Sequence, residues 1–107
     1  MQAALHAIAE PRRRAILRLV REEELSSGEI ASHFEVTGPA ISQHLRVLKE
    51  AELVRERREG TRRLYSARPE TLAELRGFLE EFWSTGLERL KAQAELEERR
   101  LADGSDS

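Results

Sequence analysis

All three prolines of this 107-residue chain, Pro11, Pro39 and Pro69, stand at the head of a run in which apolar residues recur every three or four positions. Proline has no N–H to donate and a fixed φ, so it suits the first turn of a helix and breaks one anywhere further in. Pro11 heads Ala15, Ile16, Leu19 and Val20, which predicts a helix running to about Glu22. Pro39, behind the capping hydroxyl of Thr37, heads Ile41, Leu45, Leu48 and Ala51, a helix over roughly residues 38–51. Pro69, with Glu70 and Glu74 suiting the helix dipole, heads Leu72, Leu75, Leu79, Phe82, Trp83, Leu87, Leu90 and Ala94. Two shorter helices complete the helical part. Ala4, Leu5, Ile8 and Ala9 form a first stripe, and Ser26 or Ser27 can cap a segment with Ile30, Ala31 and Phe34 on one face.

Between Leu53 and Ala67 the period changes. Leu53 to Arg58 and Arg62 to Ala67 are short segments containing Val, Leu and Tyr, separated by Glu59-Gly60-Thr61, and they predict a hairpin with a basic tip. The fold expected is mainly α with a small β-hairpin, in the order α-α-α-α-β-β-α. Residues 1–101 form one domain in this reading, and residues 102–107, small and acidic, a flexible tail. A last helix from 70 to 98 is about 40 Å long at about 1.5 Å per residue, more than a chain of this size covers by itself, so part of its stripe needs a partner.

A hydrophobic content of 39% supports one modest core. The absence of cysteine excludes disulfides and thiolate metal sites, and no apolar run is long enough to span a membrane, so a soluble cytoplasmic protein is expected. The net charge of −2 hides an asymmetry: residues 37–68 hold 8 Lys and Arg against 4 acids, whereas residues 69–107 hold 5 against 10. A polyanion responds to the local field at a docking face rather than to the total, and the basic centre points toward nucleic acid.

Residues 27–46 have the spacing of a helix-turn-helix, whose second helix enters the major groove of double-stranded DNA. With the hairpin behind it the unit is a winged helix-turn-helix. Ala31 is small where the helices cross, and Val36 is the apolar residue of the turn. Glu35 stands where the motif usually has glycine, a departure that bears on the turn geometry rather than on the motif, since a polar residue can enter the left-handed region at some cost. If Ile41, Leu45 and Leu48 face inward, Thr37, Pro39, Ala40, Ser42, Gln43, His44 and Arg46 are left for DNA. Gln43 can pair with adenine, Arg46 can reach guanine or phosphate, Ser42 can bond base edges or phosphate, and Pro39 and Ala40 can touch thymine methyls. The free N–H groups near Thr37 can hold a phosphate. On the wing, Arg57, Arg58, Arg62 and Arg63 match phosphate and a narrow minor groove, although Glu56 and Glu59 can neutralise neighbours across the strands.

These three segments together resemble the ArsR/SmtB type of winged helix-turn-helix repressor. The resemblance rests on Ala9-Glu10-Pro11-Arg12-Arg13-Arg14-Ala15-Ile16-Leu17, on the recognition-helix pattern from Thr37 to Leu48, and on the wing from Arg57 to Tyr65. It implies a homodimer formed by the first and last helices, reading a two-fold symmetric operator and blocking transcription until an effector releases it. Leu5, Ile8, Leu79, Phe82, Trp83 and Leu87 are the interface residues it suggests, with Phe82 and Trp83 as anchors.

The same resemblance removes a signal. Many members sense metals through two cysteines in a stretch that here reads Glu24-Leu25-Ser26-Ser27-Gly28-Glu29-Ile30, where Ser26 and Gly28 stand in place of both thiolates. The other common site pairs Asp and His on the last helix, and no histidine follows His44. No metal and no cofactor is expected, and the effector is left unknown. No phosphate loop and no nucleophile with an assembled base supports an enzyme. The competing reading is a protein-binding module on the same scaffold, with DNA binding weak or lost.

Overall fold

The computed structural model describes residues 1–105, with side chains described through residue 102 apart from those of Ser84 and Thr85. Its elements run α1 (Gln2–Ile8), α2 (Pro11–Glu22), β1 (Leu25–Ser26), α3 (Ser27–Ala31), α4 (Gly38–Glu50), β2 (Val54–Glu59), β3 (Arg62–Ala67) and α5 (Pro69–Ser105). Each proline lies at the start of a helix. Glu10 caps α2 by accepting the Arg13 N–H at 2.8 Å, and Thr37 caps α4 by accepting the Ala40 N–H at 3.2 Å. The arginines behind Pro11 tie α1 to α2: Arg13 Nε donates to the Ala7 carbonyl at 2.7 Å, and Arg14 donates to that of Ile8 at 2.7 Å. Carbonyls left without partners at the end of α1 are satisfied in this way.

Residues 1–75 form one compact unit and residues 76–107 a second, the boundary falling inside α5. In the first unit α2, α3 and α4 bury Ile16, Ile30, Ile41 and Leu48 completely, together with Leu53 behind α4. Helix α4 ends in a Schellman motif. The Glu52 N–H reaches the Lys49 carbonyl at 3.0 Å, the Leu53 N–H that of Leu48 at 2.9 Å, and Leu53 packs into the core beside Leu48. The motif needs a left-handed residue, and Glu52 supplies it at φ 59°, the one non-glycine residue with positive φ among those described.

Several details go beyond the sequence expectation or differ from it. The hairpin is extended to a three-stranded antiparallel sheet in the order β1-β3-β2, with Leu25 opposite Tyr65 and Ser26 opposite Leu64. Helix α3 is five residues long, so Phe34 lies beyond it, half-buried, with the Arg12 guanidinium 5.0 Å from its ring centroid. Glu35 does not adopt the left-handed conformation, and the turn between α3 and α4 closes without it; Glu52, at the far end of α4, is a separate case. Helix α5 is described through Ser105, past the expected end near residue 98, and Asp106 and Ser107 of the expected tail lie outside the described residues.

Candidate nucleic-acid interface

The inner stripe of α4 is Ile41, Leu45 and Leu48. Its other side leaves Thr37, Pro39, Ser42, Gln43 and Arg46 exposed and Ala40 half-buried, as the spacing requires. Arg46 has no ion pair among the described residues. His44 differs from the expectation. It is half-buried, with Nδ1 3.9 Å from Glu10 Oε2 at the cap of α2. Residue 44 stands three after Ile41 and four before Leu48, so the helical period turns it toward α2 rather than away. Desolvation, the largest single influence, raises the Glu10 carboxyl, but the backbone hydrogen bond from Arg13 leads the opposing contacts that hold it below its usual range.

The wing arginines separate by the two-residue period of a strand. Register pairs Glu56 with Tyr65 and Arg58 with Arg63 on one face, and Arg57 with Leu64 and Glu59 with Arg62 on the other. Arg57 and Arg62 are held by acids. Arg57 Nε donates to Glu24 Oε2 at 3.1 Å and its Nη2 to Glu59 at 3.0 Å, while Arg62 meets Glu29 Oε1 at 2.6 Å. These bonds keep the Arg57 guanidinium more firmly charged than usual, chiefly through Glu24, and the Arg57 hydrogen bond depresses the Glu24 carboxyl. Glu29 has two tasks. It completes a capping box by accepting the Ser26 N–H at 3.0 Å while Ser26 Oγ accepts its own N–H at 3.2 Å, and these bonds, more than Arg62, lower its pKa.

The opposite wing face meets α4. Between them lies an open cleft of about 440 Å³, lined by Ser42, Gln43, Arg46 and Lys49 of the helix and by Glu56, Arg63 and Tyr65 of the strands. Lys49 Nζ donates to Glu56 Oε2 at 2.8 Å, and Arg63 Nε lies 3.3 Å from Glu56 Oε1. That hydrogen bond first, then the charges of Lys49, Arg63 and Arg58, hold the Glu56 carboxyl low against partial desolvation. Burial, with the Glu56 charge behind it, pushes the Tyr65 phenol up. Arg58 makes no ion pair among the described residues. The positive groups that share a face with the helix are therefore Arg46, Lys49, Arg58 and Arg63. Lys49 was absent from the residues expected from sequence, although it lies one turn beyond Arg46 on the same side.

The family model described as "Bacterial regulatory protein, arsR family" matches residues 10–56, from the cap of α2 to the middle of β2. The HTH-type transcriptional regulator Rv2034 of Mycobacterium tuberculosis is 46% identical over 84 residues, covering 78% of this chain and 78% of that protein. The chain belongs to the ArsR family. The transcriptional repressor SdpR of Bacillus subtilis, 41% identical over 66 residues, covers 62% of this chain and 73% of its own length. The solution structure of the homodimeric winged helix-turn-helix DNA-binding domain Mb0332 from Mycobacterium bovis, described as a possible ArsR-family transcriptional regulator, superposes with a TM-score of 0.64. It is 32% identical and covers 82% of each chain. The ArsR family is one of transcriptional regulators and not of enzymes.

Residues 24–30, the stretch that the resemblance compared with a cysteine metal site, hold the capping box of α3, where Ser26 serves as a helix cap. Among the described residues no three His, Asp or Glu side chains come together as metal ligands, and no helix is long and apolar enough to cross a membrane. Of the residues suggested for an interface, Leu5 and Ile8 are half-buried against the core of the first unit. In the second unit Leu79, Phe82, Trp83 and Leu87 are exposed, Trp83 at 71%, and Phe82 meets Phe78 edge-on with centroids 5.2 Å apart.

Proposed function

We propose that the chain is a sequence-specific repressor that reads a palindromic double-stranded DNA operator as a homodimer in the cytoplasm, without a metal. The observation that carries this reading is the cleft between α4 and the wing, where Ser42, Gln43 and Arg46 stand beside Lys49 and Arg63. Base edges in the major groove take the helix side chains, with Gln43 suited to adenine and Arg46 to guanine or phosphate. Phosphates take the free N–H groups at Thr37 and the cations of the helix-facing wing surface, Arg58 and Arg63. Arg57 and Arg62, which lie on the wing face away from the recognition helix and bond to Glu24, Glu59 and Glu29, act as ties between the wing and the start of α3.

Dimerisation draws on the exposed stripe of Leu79, Phe82, Trp83 and Leu87, to which Leu5 and Ile8 of α1 add area. Seven exposed large apolar side chains on one helix, Leu79 to Leu101, are unusual for a protein without a partner, and the homodimeric relative supports the assignment. A two-fold dimer of this kind reads half-sites about one helical turn, roughly 34 Å, apart. Residues 1–101 then act as one DNA-binding and dimerisation domain. Selection of bound duplexes from a random pool tests the function: a two-fold symmetric consensus is expected, and Gln43→Ala changes the base preferred at symmetric positions. Recovery of no consensus, with a stable monomer in solution, supports the protein-binding module instead.

A further inference from the structure

One feature of the cleft opposes its charge. Glu56 is the single acid among its lining residues, in a place where a polyanion is to dock. A carboxylate there repels phosphate, yet its side chain is only 17% exposed and both its oxygens are engaged from different elements. Oε2 accepts from Lys49 at the last turn of the recognition helix, and Oε1 faces Arg63 Nε on β3. Its partner across the strands, Tyr65, is buried and packs on the core, so the strand that carries Glu56 has a firm base. The ion pair joining helix to wing is therefore anchored at both ends, by Leu48 and Leu45 beside Lys49 on α4 and by Tyr65 in the sheet.

We infer that Glu56 is a positioning residue that fixes the wing relative to the recognition helix, holding Lys49 and Arg63 at a set separation so that helix and wing engage one stretch of DNA in register. The inference rests on the DNA-reading function proposed above. Its signature is a conflict of sign. As a charge alone, Glu56 weakens binding to any duplex; as a positioning group it strengthens binding only to the duplex whose bases and backbone fit the preset spacing. Removing one unit charge about 8 Å from a phosphate in a watery interface raises affinity about 2- to 3-fold. Loss of the preset spacing lowers affinity for the correct sequence by about tenfold or more, since misplaced bidentate contacts each discriminate by about that factor.

The test compares wild type, Glu56→Gln and Lys49→Met on the selected palindrome and on an unrelated duplex of equal length, over a range of salt. Glu56→Gln is expected to bind the unrelated duplex about 2- to 3-fold tighter and the palindrome about 3- to 5-fold weaker, because the same loss of charge offsets part of the tenfold positioning loss. The charge effect is common to both duplexes and cancels, so the ratio of the two affinities falls about tenfold. Lys49→Met in the Glu56→Gln background is expected to lower that ratio little further, because the link is already broken. Parallel tightening on both duplexes, or additive effects of the two substitutions on the ratio, overturns the positioning role. If Glu56→Gln fails to fold, Lys49→Met alone breaks the same link from the helix side, and an unchanged ratio there overturns it. A wild type that does not distinguish the duplexes overturns the DNA-reading function itself, and the positioning role with it.

Discussion

Trp83→Ala measures how far the long helix depends on a second copy. The side chain is 71% exposed in the protomer, and an aromatic side chain of this kind presents about 150–250 Å². Some 140 Å² is thus open to a partner, and closure of half of it in each of two symmetric copies removes about 140 Å² per dimer from water. At about 25 cal/mol per Å² that area stabilises the dimer by about 3.5 kcal/mol. Alanine keeps part of the contact, which leaves a loss of about 2–3 kcal/mol and a dimer weaker by about 30- to 150-fold. Sedimentation equilibrium over a concentration series reads the constant, and circular dichroism checks that helix content is kept. A dimer constant within about twofold of wild type contradicts the assignment of this stripe to the interface, because twofold is only about 0.4 kcal/mol.

Other consequences are equally direct. Arg58→Ala should reduce the slope of log affinity against log salt by about 0.9, the release from one phosphate contact. Arg62→Ala, which removes a partner of Glu29 and not of DNA, should leave it close to wild type; equal slope changes refute the division of the wing into two faces. Glu52→Gly should raise stability by about 0.5–1 kcal/mol in urea unfolding, because glycine adopts the left-handed conformation at φ 59° without a Cβ clash. A destabilised Glu52→Gly variant contradicts this account of the helix end. Glu10, Glu24, Glu29 and Glu56 all have carboxyl pKa values lowered from 4.5 by folding. The unfolded chain therefore binds more protons near and below that pH, and the stability from these groups, complete above 4.5, is lost as pH falls through the lowered values. The urea midpoint should be level from about pH 7 to 5 with respect to these groups and drop by about pH 3.5; a midpoint that rises on acidification contradicts it.

Much of the fold was legible because its punctuation is local. Proline at the first turn, a hydroxyl or carboxylate before it and apolar spacing behind it are all read within a few residues, and α2 and α4 begin and end close to where these signals put them. Strand β1 carries no such signal. Two residues, Leu25 and Ser26, become a strand only because β3 pairs with them from about forty positions away. The same distance hides the Glu24–Arg57 and Glu29–Arg62 pairs, each joining residues 33 apart, so a count of arginines overstated the charge the wing has to offer. The two-residue period did hold the division of the wing into two faces, and the helical period did hold the inward turn of His44. Both follow from side-chain direction rather than from side-chain chemistry.

The central claim is that α4 and the helix-facing side of the wing read a particular DNA sequence. Titration of the dimer at physiological salt against the selected palindrome and against a scrambled duplex of the same composition tests it most directly. The account predicts an affinity ratio of at least about 10³, with both affinities falling steeply as salt rises. Equal affinities for the two duplexes contradict it.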